Sequence, residues 1–129
     1  MRKLVYSIVL ITALSAVAAF GQSETRIQFA KGKSSATVKG NSGSTGVYYV
    51  IRAKQGHMLL LDVSPASKVG IKVESNGRYG HNVLLREEKG GHFEVGLEEA
   101  GDYTIFIGSL NGRPVPFTLT VGIRKMTDI

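Results

Sequence analysis

Gly32-Lys33-Ser34, within the stretch running from Phe29 to Gly40, has the ending of a phosphate-binding loop, where backbone amides and a lysine hold a nucleotide's phosphates. That loop needs a glycine five residues before Gly32, and Ile27 stands there. It also needs a following helix whose N-terminal amides face the phosphates. Ser34-Ser35-Ala36-Thr37-Val38 follows instead, with alternating polarity and β-branched residues that read as the start of a short strand. The stretch therefore does not read as a nucleotide site. Hydrolysis would need a nucleophile, a base and an orienting acid. His57, His81 and His92 all fall at predicted turns, and no serine stands in a Gly-x-Ser-x-Gly elbow, so the histidines read as surface residues and the chain as non-enzymatic.

His92-x-Glu94 puts an imidazole and a carboxylate on one outward strand face, the beginning of a zinc site. Catalytic zinc takes three protein ligands and structural zinc four, and no third ligand is identified, so this face reads as solvated. No Asp-rich loop suggests calcium. No metal, cofactor or catalytic residue is expected. A recognition surface has more to support it: Tyr48, Val50 and Arg52 share the outward face of one predicted strand, and Arg113 stands at the final hairpin turn. Tyrosine and arginine supply much of the energy of protein interfaces, and an aromatic face also stacks on sugars.

The elements that must position these residues follow a secretory signal peptide. Arg2 and Lys3 precede an apolar run from Leu4 to Ala19 that small residues close, with cleavage after Gly21 preferred over cleavage after Ala18. The run is shorter than the roughly 20 residues that span a bilayer, and no second apolar segment follows. The sequence has no cysteine, which leaves no lipoprotein acceptor and no disulfide framework. Without Arg2 and Lys3, the 16 basic residues fall to 14 against 10 acidic ones, a formal +4. The charges are scattered, which argues against a nucleic-acid arm. Residues 22–129 suffice for one domain, periplasmic or secreted, with no transmembrane anchor once the signal is removed.

Over those residues the apolar pattern has period two, and turns recur every 8 to 12 residues, the pattern of an all-β protein. Ile27 and Phe29 mark a first strand, and Ala36 and Val38 a short second. A polar loop, Gly40 to Gly46, precedes a third strand from Val47 to Ala53, with Val47, Tyr49, Ile51 and Ala53 facing the core. Leu59, Leu61 and Val63 share the inward face of the next strand. Val69, Ile71 and Val73 mark a fifth and Val83 to Arg86 a weaker sixth. Phe93, Val95 and Leu97 follow, then Tyr103, Ile105 and Ile107 with Thr104 and Phe106 facing away, and finally Phe117, Leu119, Val121 and Ile123. About eight antiparallel strands in a two-sheet β-sandwich suit this count better than one open sheet with a wet face.

In this order "RIQFAKGKSSATVKG", "YYVIRAKQGHMLLLDVS", "GDYTIFIG" and "FTLTVGI" resemble the periplasmic inhibitors of g-type lysozyme, secreted β-sandwiches related in architecture to pre-peptidase C-terminal domains of bacterial exported proteins. The most specific part is Phe29-x-Lys31-Gly32-x-Ser34-Ser35-Ala36, followed by Tyr49 and by Ala53-Lys54-x-Gly56. The resemblance implies a lysozyme partner, g-type first, whose active-site cleft is blocked by the last hairpin: Arg113 enters the cleft while Asn111 and Gly112 shape the loop. Arg113 alone carries over from the arginine-rich loop of such inhibitors, and the loop before the third strand lacks their tyrosines. A charge of +4 also gives no steering toward a basic lysozyme. The second reading is an envelope or extracellular module that binds glycan or peptidoglycan through Tyr48, Arg52 and nearby lysines.

Overall fold

The computed structural model describes residues 24–77 and 80–126, with no side-chain detail over 76–81. The signal peptide and the side chain of His81 lie outside the described residues. Nine strands run in the order β1 (Glu24–Arg26), β2 (Ser35–Asn41), β3 (Val47–Ala53), β4 (His57–Ser64), β5 (Val69–Gly77), β6 (Gly80–Glu87), β7 (Gly91–Gly96), β8 (Gly101–Ser109) and β9 (Pro116–Lys125). They form a five-stranded sheet ordered β1-β3-β8-β5-β6 and a four-stranded sheet ordered β2-β9-β4-β7. Every pairing is antiparallel except that of β1 with β3.

Side chains alternate across each strand, so one face of each sheet can be apolar and dry. Leu59 and Leu61 of β4, Leu119 and Val121 of β9, and Ile105 and Ile107 of β8 are fully buried, as are Val69 and Val73 of β5. Burying each such side chain contributes about 1.5–3 kcal/mol. Tyr49 and Phe117 bring the two sheets together edge to face, with ring centroids 6.2 Å apart and planes at 84°. Burial raises the pKa of the Tyr49 hydroxyl. Tyr103 is also buried, and its hydroxyl donates to the carbonyl of Glu99, tethering the turn before β8 to the core.

Three elements differ in detail from the pattern reading. Ile27 and Phe29 lie just beyond β1, yet Ile27 is buried and its amide donates to Val50 O at 2.8 Å, so the chain stays pinned to β3 where the ladder ends. β2 extends to Asn41, into the predicted polar loop, because β9 supplies partners as far as Pro116. Val50, on the outward face of β3, is buried between Arg26 and Thr104, its neighbours in register.

The connections divide between the two ends of the sandwich. One end carries the loops 42–46, 65–68, 88–90 and 110–115; the other carries 27–34, 54–56 and 97–100.

Candidate functional site

The β8–β9 hairpin leaves the sheet at Ser109 and rejoins the other sheet at Pro116. Its turn is held by side chains rather than by a ladder. The Ser109 hydroxyl donates to Asn111 Oδ1 at 2.9 Å, and the same oxygen accepts the Arg113 amide at 2.9 Å. The Asn111 amide donates back to Ser109 Oγ at 3.3 Å. Gly112 takes φ +77°, a left-handed conformation open to glycine. Leu110 anchors the turn laterally, its amide donating to Lys68 O at 3.0 Å. Residues 110–114 are exposed, so Arg113 stands on an ordered loop with its side chain in solvent.

Ser42 joins this hairpin to the loop before β3. Its amide donates to Val115 O at 2.9 Å, and its hydroxyl accepts the Val115 amide at 3.0 Å while donating to Gly43 O at 2.8 Å. Ser42 is fully buried, a polar residue satisfied on both sides of the oxygen. No local pattern signals it, because its partner lies 73 residues away.

Tyr48 lies toward this same end, on the outer face of the five-stranded sheet, directly across from Phe106. The two rings are tilted with centroids 4.9 Å apart, and Lys72 Nζ sits 5.6 Å from the Phe106 centroid while bonding Glu74 Oε2 at 2.9 Å. Arg52 is elsewhere: four residues along β3, about 13 Å at a strand's rise, it approaches Asp102 at 3.6 Å. Asp102 is already held by Arg26 through two bonds of 3.1 and 2.9 Å, a fork that bridges β1 and β8 across β3. Those bonds draw the Asp102 carboxyl below its ordinary pKa and push the Arg26 guanidinium above its own. The surface predicted from Tyr48 and Arg52 is thus two separate clusters.

His92 and Glu94 do share the outer face of β7, and Asp62 joins them from β4. His92 Nδ1 lies 2.9 Å from Asp62 Oδ1 and Nε2 lies 3.1 Å from Glu94 Oε2, with Arg124 3.9 Å from the other Glu94 oxygen. Each ring nitrogen faces a carboxylate, an arrangement that suits an imidazolium donating twice. Among the described residues no His, Cys, Asp or Glu group is placed to hold a metal. The bond to Glu94, then that to Asp62, raises the His92 pKa above its ordinary value near 6.5. A raised folded-state value gives stability that is full below about pH 6.5 and fades as pH rises through the folded value. A proton NMR titration should therefore place the His92 midpoint above the ordinary imidazole value near 6.5, and Glu94→Gln should bring it down; a midpoint at or below that value would contradict the geometry.

No family model matches the sequence, and no curated protein sequence matches it. Solved structures do. PliG of Aeromonas hydrophila, a periplasmic lysozyme inhibitor of g-type lysozyme, superposes with a TM-score of 0.69 at 25% identity, covering 79% of this chain and 96% of that one. This chain has the fold of the g-type lysozyme inhibitors. PliG of Salmonella Typhimurium matches with a TM-score of 0.61 at 18% identity, over 81% of this chain and all of the other. A PliG mutant from Escherichia coli matches with a TM-score of 0.60 at 20% identity over the same shares. All three PliG structures are inhibitor proteins rather than enzymes. Among the described residues no helix is long and apolar enough to cross a membrane.

Proposed function

We propose that this chain is a periplasmic, non-enzymatic inhibitor of g-type lysozyme that blocks the enzyme's cleft with its β8–β9 hairpin. The observation that carries the reading is the match to PliG of Aeromonas hydrophila over 96% of that protein's length. The hairpin suits the role because its turn is ordered before binding, by the Asn111 oxygen and by Gly112, so less conformational freedom is lost on docking. Arg113 would meet the enzyme's catalytic carboxylates, and a guanidinium forms paired, charge-assisted hydrogen bonds with carboxylates in a partly dry cleft. Tyr48, toward the same end on the outer face of the five-stranded sheet, would offer a separate aromatic contact.

The test is lysis of a peptidoglycan suspension by g-type, c-type and i-type lysozymes, each titrated with the purified mature protein. Saturable inhibition of the g-type enzyme near equimolar ratio is expected. Undiminished lysis by all three at large excess would leave the likeness one of scaffold alone.

A further inference from the structure

At the end of the sandwich opposite the hairpin lies an open groove of about 680 Å³. The ends of β2, β3, β4 and β9 meet there. Ser34 O accepts the Ile123 amide at 3.0 Å, and Gly56 O accepts the Met126 amide at 3.0 Å, tying two turns to the end of β9. Lys33, Arg52, Lys54, Arg124, Lys125 and His57 line the groove, and no aspartate or glutamate does. Five permanent cations around one concavity, in a chain whose charges otherwise nearly balance, focus a positive field there.

Those cations are weakly engaged. Among the described residues Lys33, Lys54 and Lys125 make no ion pair. Arg52 is three-quarters exposed and meets Asp102 only at 3.6 Å, beside the tighter Arg26 fork. Arg124 reaches Glu94 at 3.9 Å, and its buried Nε has no hydrogen-bond partner. Like charges gathered without carboxylates repel one another, a cost that an anionic ligand would relieve.

We infer that this groove is a second binding site, independent of the hairpin, and that it takes a short carboxylate-bearing glycan segment. Charge complementarity gives the sign of the ligand, and the groove's shape favours a glycan. Ser35, Gly122 and Leu60 stand in register across β2, β9 and β4, so the floor of the groove is a paired ladder, and the unpaired edge to which an extended peptide could add lies at its rim, on the outer side of β2. Recognition on the floor falls to side chains. Phe29, Leu60 and Ile123 give an apolar surface against which the C–H face of a sugar ring can lie, and the Ser34 and Ser35 hydroxyls lie beside it. The volume is that of a small-ligand site. Lys33 and Ser34, from a stretch that lacks the frame of a nucleotide loop, thereby supply one wall of a different anion site.

The experiment is amide NMR of the isotopically labelled mature chain titrated with trigalacturonate, with cellotriose as the neutral control and hexaglutamate as the peptide control. Trigalacturonate is expected to shift amides around Lys33, Lys54, His57 and Lys125 and to leave 110–115 unmoved. The affinity should fall as salt is raised from about 50 to about 300 mM. The double variant K54E/K125E should keep the thermal transition of the parent and bind at least about tenfold more weakly, since each charge-assisted contact is worth about a factor of ten. The site is refuted by no shifts at millimolar trigalacturonate, by shifts confined to other surfaces, or by an unchanged affinity in a folded double variant. Equal binding of cellotriose would overturn the electrostatic basis, and tighter binding of hexaglutamate would overturn the glycan as occupant.

Discussion

Gly46→Val is expected to lower stability by about 3 kcal/mol, from two costs that arise at one position. Gly46 has φ +92°, and a side chain in left-handed backbone costs roughly 1–2 kcal/mol, with a β-branched one at the upper end. A Cβ there would lie 2.3 Å from two atoms of the Phe106 ring and 3.2 Å from Ile107 O. The ring would have to swing, and Gly108 on the other side of it is itself within 2.8 Å of the ring by the same measure. Overpacking of this kind costs about 1–3 kcal/mol. Displacing Phe106 also removes its contact with Tyr48. In thermal unfolding the variant should melt more than about 10 °C below the parent, at roughly 4–8 °C per kcal/mol for a domain of this size. The cycle with Phe106→Ala divides the effect: the ring-dependent part should vanish in the double variant while the backbone part persists. A Gly46→Val transition within about 0.5 kcal/mol of the parent would mean that neither the ring nor the turn is held as described.

The reason this position escaped the pattern reading is instructive about the whole molecule. Alternation gives the parity of a strand, so the bounds of β3 and its core face of Tyr49, Ile51 and Ala53 are legible, although Val50 on the opposite face is buried as well. The same holds for Leu59, Leu61 and Val63, and for the outward direction of Phe106. Parity says nothing about which strand lies alongside. That Phe106 lies across from Tyr48, and that its ring leans over two glycines, depends on the pairing of β3 with β8, elements separated by about half the chain. Ser42 shows the same limit from the polar side. A Gly/Ser/Asn run reads as a solvated loop, yet its serine is sealed because an amide of the distant hairpin needs an acceptor. The basic groove is a third case. Lys33, Lys54 and Lys125 are ordinary strand-end lysines one by one, and only the meeting of four strand ends makes them a cluster. Pairs within one strand were therefore readable, whereas sites assembled across strands were not.

Arg113→Ala should weaken inhibition of g-type lysozyme by at least about 30-fold, the factor that corresponds to a 2 kcal/mol hot spot. It should do so without changing the melting temperature. Arg113 is exposed, and its structural part is played by its amide, which donates to Asn111 Oδ1 whatever the side chain. Arg113→Lys separates charge from geometry: a lysine keeps the positive charge but cannot form the paired guanidinium–carboxylate contact, so it should recover only part of the loss. Ser42→Ala provides the opposite signature. Removing that hydroxyl leaves the buried Val115 amide without its acceptor, at a cost of about 1–3 kcal/mol, and loosens the hairpin at its root. It should therefore lower stability and inhibition together, where Arg113→Ala lowers inhibition alone. If inhibition were real but unchanged in Arg113→Ala, the hairpin's charge would not be what enters the cleft. Tyr48 would then be the next residue to replace, since it is the large exposed aromatic at the same end of the sandwich.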